Sequence, residues 1–217
     1  KWAGNKDLSG WVRFGHDNDQ LYIAAHVVDS FFTQDQTGSE AWRGDHIMLT
    51  IDTTRSGKIE DVWQLGLNPG DLKGQDATKP ELVIWSPLGK SIEGAVVAAK
   101  RTPEGYDLEA AIPWTVLEIT PVKYQTFALQ LGLSDCDTSP PIQEKAVSIS
   151  TAKWKARDPK RLIAVGLTDR AGHFPDGGFA EAQELGDDLL IEHGGQQQLT
   201  FNVDAVPEGK IPTLTFK

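Results

Sequence analysis

The chain of 217 residues has a single cysteine, Cys136, and a single methionine, Met48. One thiol forms neither an internal disulfide nor a cysteine-based zinc site, so disulfide-stapled and zinc-finger architectures are removed. Positive charge is scarce as well: 21 Lys and Arg stand against 31 Asp and Glu, a net charge of −10. Phosphate binding needs clustered Lys and Arg, so no nucleic-acid partner is expected. Anionic membranes and acidic polymers are disfavoured for the same reason. Neutral glycans are not, and acidic side chains are the usual ligands of calcium. No run approaches the roughly 18 apolar residues of a membrane span. No signal peptide is evident, and Lys1-Trp2-Ala3-Gly4 reads as the interior of a longer or processed chain. Catalytic signatures are missing too. There is no serine nucleophile elbow, phosphate loop or zinc spacing. The five histidines are scattered. Glu109, Asp135 and Asp137 could supply a glycosidase pair, but in so acidic a chain such pairs arise freely. No chemistry is expected of this chain.

What is present is period-two alternation between turn residues. Residues 11–14, 21–29, 46–52, 63–67, 82–85, 95–99, 106–111 and 127–135 read as strands. In 46–52 the apolar set is Ile47, Leu49 and Ile51. One short helix is expected over 113–117, where Pro113 suits a first turn. Many short strands and few helical patterns predict an all-β fold, an antiparallel, jelly-roll-like β-sandwich. The composition changes near Asp169. Residues 170–217 are expected to be a linker with extra strands near 189–192 and 199–203, either a C-terminal β appendage or the start of a following domain.

The second faces of the strands carry His46, Met48 and Thr50, then Val62, Gln64, Gly66 and Asn68, then Gln130, Gly132 and Ser134. These are neutral, small or hydrogen-bonding residues rather than the Lys and Glu of a solvated face. Either the face is open to a sugar, with Gln64 and Gln130 meeting hydroxyls, or loops cover it. The seven tryptophans sharpen the choice. Trp2, Trp11 and Trp63 lie among apolar neighbours and read as core, and Trp114 as a plug at the sandwich edge. Trp42 and Trp154 lie in polar loops and Trp85 ends a strand, so each is a candidate to stack on a sugar ring or to anchor its loop.

Several segments together resemble the family 9 carbohydrate-binding modules. They are Asp7-Leu8-Ser9-Gly10, the stretch from Asp19 to Asp29, and Trp42-Arg43-Gly44-Asp45 with the strand to Asp52. Gly105-Tyr106-Asp107 running to Pro113-Trp114, Asp135-Cys136-Asp137 and Arg157-Asp158-Pro159 complete the set, in order across residues 1–169. The resemblance implies a β-sandwich that binds poly- or oligosaccharide, commonly with calcium, attached to an exported carbohydrate-active enzyme in an extracellular, periplasmic or cell-surface setting. It places Trp42 on the first of two stacking tryptophans. Met48 stands where a glutamate is expected, Gln64 where an arginine is, and Ala156 at the second tryptophan, with Trp154 two residues earlier. The expected sugar contacts are therefore Trp42, Trp154, Trp85, Gln64, Gln130 and Arg43. For calcium the acidic turns offer Asp17, Asp19, Asp135 and Asp137. Two alternatives stay open: a haem b-binding electron-transfer domain, with Met48 as axial ligand beside His46, or a spacer that has lost its sugar.

Overall fold

A computed structural model describes residues 3–73, 78–122, 126–149, 157–168, 188–192 and 197–199. The strands in chain order are β1 Leu8–His16, β2 Gln20–Asp29, β3 His46–Asp52, β4 Val62–Asn68, β5 Glu81–Ser86, β6 Val96–Thr102, β7 Gly105–Pro113, β8 Thr126–Asp135, β9 Lys145–Ser148, β10 Ile163–Thr168, β11 Asp188–Glu192 and β12 Gln197–Leu199. They form two sheets. One runs β12-β1-β2-β7-β6, the other β11-β10-β8-β3-β4-β5, with β9 also paired to β8. Pairing is antiparallel except where β11 joins β10. The expected sandwich is present, and its C-terminal strands extend an edge of each sheet.

Alternation builds the core. In β3, Ile47 lies between Leu67 and Leu133, Leu49 between Leu65 and Leu131, and Ile51 between Trp63 and Leu129. These rows face Val12, Phe14, Ile23, Leu108 and Ile112 of the other sheet in one buried cluster. Truncating such a residue to alanine costs about 2–5 kcal/mol, from lost transfer energy and the cavity left behind. Trp114 closes one end of the core. It is 2% exposed, and its indole donates to the Asp17 carbonyl at 3.0 Å.

Two expectations are corrected, and two strands are added to those expected. Residues 113–117 form no helix: Pro113 ends β7 and a turn follows, held by Val116 N–H to Pro113 O at 2.9 Å and Ile119 N–H to Trp114 O at 3.1 Å. Trp114, Val116, Leu117 and Ile119 turn into the core while Thr115 and Glu118 stay exposed, and Glu118 takes a left-handed backbone conformation, φ 54°, which a right-handed helix does not admit. The short strands β9 and β10 were not legible as alternation. Trp11 is not core: it shares parity with Arg13 rather than with Val12 and Phe14, and it lies half-buried on the outward face. Trp2, Trp154, Ala156, His173, His193 and all but the first residue of the strand expected near 199–203 lie outside the described residues.

Candidate functional site

The chain between β2 and β3 includes a short 3-10 helix, Gly38–Arg43, packed against β4 and β5. Its position follows from polar groups with nowhere else to bond. The Gln34 amide, 1% exposed, donates to Ala41 O at 3.0 Å and Asp45 O at 2.9 Å. Asn68 donates to Gln36 O at 2.9 Å and to Glu81 at 3.0 Å, while Glu81 accepts from Gly38 N–H at 2.8 Å. On this pinned loop Trp42 keeps 37% of its surface in solvent. Arg43 backs it, with the guanidinium carbon 5.0 Å from the indole centroid and Nε 2.6 Å from Glu40. Trp85 stands nearby, its Nε1 donating to Ser39 O of the same loop at 3.2 Å.

The six-membered ring of Trp85 lies over Gly66. A Cβ at Gly66 would come within 2.3 Å of the Trp85 Cη2 atom. The glycine therefore makes room for the protein's own indole, not for a ligand. His46 meets the same ring edge-on, at 5.2 Å and 73°.

The rest of this face is closed, which corrects the expectation of an open amide-lined surface. His46 is 0% exposed, Met48 4%, Thr50 1% and Gln130 1%. Gln130 is not a sugar contact here; its amide lies 3.4 Å from Ser148 Oγ on β9. Gln64 is half-buried, with Nε2 3.1 Å from Met48 Sδ. Alternation tells which residues share a face but not whether something covers it, and small neutral residues suit a covered face as well as a sugar. Burial drives the His46 imidazole down to about 4, so it stays neutral, with Nδ1 bonded to Gly44 O at 2.8 Å and Nε2 without a partner. With His46 enclosed beneath Trp85 and Met48 buried beside Gln64, this face does not favour the haem alternative. Thus the 38–43 loop brings Trp42 and Arg43 to Trp85 on β5, while Gln64 on the neighbouring β4 is held against Met48. Gln130 is buried on β8, and Trp154 lies outside the described residues.

The acidic residues sort into three groups. Asp17 is consumed by its own turn: Oδ1 accepts Asp19 N–H and Gln20 N–H, both at 2.8 Å, and Oδ2 accepts the Tyr22 hydroxyl at 2.7 Å. Asp17 and Asp19 therefore read as a turn, not a metal site. Asp7, Asp135 and Asp137 surround an ammonium the chain itself supplies. Lys145 Nζ is 2.9, 2.5 and 2.8 Å from them and its side chain is 8% exposed. The third group, Asp29, Asp45 and Asp135, is buried, with carboxylate oxygens within 4.8 Å of one another. Asp45 accepts the backbone N–H groups of Thr33 and, at 2.7 Å, Cys136. Asp29 Oδ2, Asp135 Oδ1 and the fully buried Tyr106 hydroxyl have no hydrogen-bond partner. Burial pushes all three carboxyls up, Asp45 furthest in direction with Asp29 adding repulsion, and Asp135 to about 6 despite Lys145. Orphaned carboxylate oxygens and a phenol around one point fit a hard, oxygen-seeking cation. Asp29 and Asp45 were missed in the sequence. Their signal was an acid at the end of one apolar strand and another just before the next.

Two sheets packed face to face around one apolar core define a β-sandwich. The chain belongs to the family described as Carbohydrate family 9 binding domain-like, which matches residues 1–169. A solved family 9 carbohydrate-binding module from Caldicellulosiruptor kristjanssonii in complex with cellotriose is similar, at a TM-score of 0.61 and 16% identity over 81% of this chain and 84% of that one. The glucose complex of that family gives a TM-score of 0.61 and 16% identity, over 80% and 83%. A Bacteroides uniformis structure gives 0.50 and 10%, over 76% and 81%. At such identities the likeness is one of fold. No curated protein matches the chain.

Proposed function

We propose that this module holds neutral poly- or oligosaccharide by stacking on Trp42, with Trp85 as platform and Gln64 and Arg43 at the rim, and does no chemistry on it. The observation that carries this is the exposed indole of Trp42, fixed by its loop beside Trp85. An aromatic ring held open to water gains by covering an apolar sugar face. The surrounding amide and guanidinium groups match hydroxyls. Trp154 is the proposed second ring. Such a wet, shallow site binds modestly. The module serves as the targeting domain of a larger exported carbohydrate-active enzyme, working outside the cytoplasm or at the cell surface. Calcium sits at Asp29, Asp45 and Asp135 rather than in the acidic turns, where it neutralises charge and ties β2, β3 and β8 together without entering the sugar site.

The test is retention on cellulose and other neutral polysaccharides, with affinity for cellotriose measured by calorimetry. Trp42→Ala should weaken cellotriose binding by about tenfold or more, the equivalent of 1.4 kcal/mol, with little change in melting temperature. A large fall in melting temperature would mark Trp42 as structural. A folded wild-type protein that retains on no polysaccharide would leave the spacer reading.

A further inference from the structure

The outward face of the other sheet is not a typical solvated surface. Cross-strand register places Trp11, His26, Asp107 and Lys100 in one row over β1, β2, β7 and β6. The next row is Arg13, Ala24, Glu109 and Ala98, and the one after it Gly15, Tyr22, Ala111 and Val96. The first row is ordered by its own contacts. The Trp11 and His26 rings lie 5.4 Å apart at 30°, His26 Nδ1 is 2.6 Å from Asp107, and Lys100 Nζ is 3.2 Å from the other Asp107 oxygen. Beside it opens a cavity of about 370 Å³, whose lining includes Trp11, Ala98, Lys100, Asp107 and Glu109. Glu109 is exposed and has no ion-pair partner among the described residues. The alanines leave the depression; longer side chains would fill it.

At the cavity Lys100 is matched by Asp107, Glu109 adds one negative charge and Arg13 is only 4% exposed, so the face disfavours an anionic ligand. A flat indole beside acceptors, a donor and a floor of methyl groups matches a polyol with an apolar ring face. Trp11 and Glu109 are two strands and one row apart, about 12 Å at Cα, which suits a short oligosaccharide rather than one ring. We propose that this face is a second saccharide site, in which Trp11 stacks on a neutral pyranose and Glu109, Asp107 and Lys100 take hydroxyls of the same short chain. The proposal rests on the module being a glycan binder, and it gives that module two sites on opposite sheets, able to bridge neighbouring chains.

Amide and indole NMR shifts of the full chain, titrated with cellotriose, xylotriose and mannotriose to about 10 mM, well above a millimolar dissociation constant, test it. Saturable shifts at the Trp11 indole and the amides of Ala98, Glu109 and Ala111 are expected. They should weaken at least tenfold in Trp11→Ala and Glu109→Ala. Ala98→Arg, on an exposed edge strand, should block them without unfolding the protein. They should persist in Trp42→Ala. Shifts at the Trp42 edge alone would overturn the second site and leave the first. Shifts at the Trp11 face alone would uphold the second site and remove the first. No shift with any of the three sugars would overturn both.

Discussion

At the scale of the residue, Gly66 is the tightest constraint near the proposed site. Its missing Cβ is what lets Trp85 lie against the sheet. Gly66→Ala should lift Trp85, break its bond to Ser39 and disturb the loop that carries Trp42. The expected cost is roughly 1–3 kcal/mol of stability, as for an overpacked core position, together with loss of cellotriose binding. Denaturant midpoint and calorimetry on the same variant check both, and unchanged affinity would detach Trp85 from the site. His46 works beneath the same ring. Its pKa falls from 6.5 to about 4 because burial disfavours the charged imidazolium. Its stabilising contribution is therefore present above about pH 6.5 and lost as pH falls toward 4. His46→Gln should remove that acid-side loss.

At the scale of the element, β9 is a four-residue strand whose place depends on one cation. Lys145 holds Asp7 near β1, Asp135 at the end of β8 and Asp137 beyond it. Its hydrogen bonds with the three acids outweigh burial and hold the ammonium charged well above its ordinary range. Lys145→Met would leave carboxylates packed together without a counter-charge. Removing one member of a buried ionic cluster costs about 3–5 kcal/mol, so a large drop in melting temperature at neutral pH is expected. A drop below about 1 kcal/mol would show that solvent screens the cluster. In sequence Lys145 looked like any surface lysine, because Asp7 is distant in the chain and only the pairing of β9 with β8 brings Asp135 and Asp137 to it.

At the scale of the whole molecule, the buried acids at the β2, β3 and β8 junction should govern how stability responds to pH and calcium. Without a cation, Asp29, Asp45 and Asp135 have folded-state values raised by burial, Asp135 from 3.8 to about 6. A carboxyl with a raised folded value stabilises fully below about pH 4, and that contribution is lost as pH climbs through the folded value. Chelated protein should therefore lose this part of its stability between about pH 4 and 7, opposite in sign to His46. Calcium should restore it at pH 7.5, by about 2.7 kcal/mol at a hundredfold excess over its dissociation constant, or several degrees in melting temperature. The gain should shrink toward pH 5 and vanish in Asp45→Asn. Identical melting with calcium and with chelator at pH 7.5 would exclude the site.

The segments of β1 to β8, the parity of β3 and the acidic, thiol-poor character that disfavours nucleic acid were readable from residues, because alternation and charge are local properties. Ile47, Leu49 and Ile51 declare their face without help from the rest of the chain. Trp42 was legible as an aromatic ring stranded in a polar loop. The open or covered state of the face beneath it was not. Met48, Thr50 and Gln130 are buried, and Gly66 accommodates an indole nineteen positions away. Tertiary structure alone decided that Asp135 belongs with Asp29 and Asp45, and that Trp11 faces outward. Pairing between strands sets such neighbours, and a one-residue change of parity sends a side chain to the opposite side of the sheet.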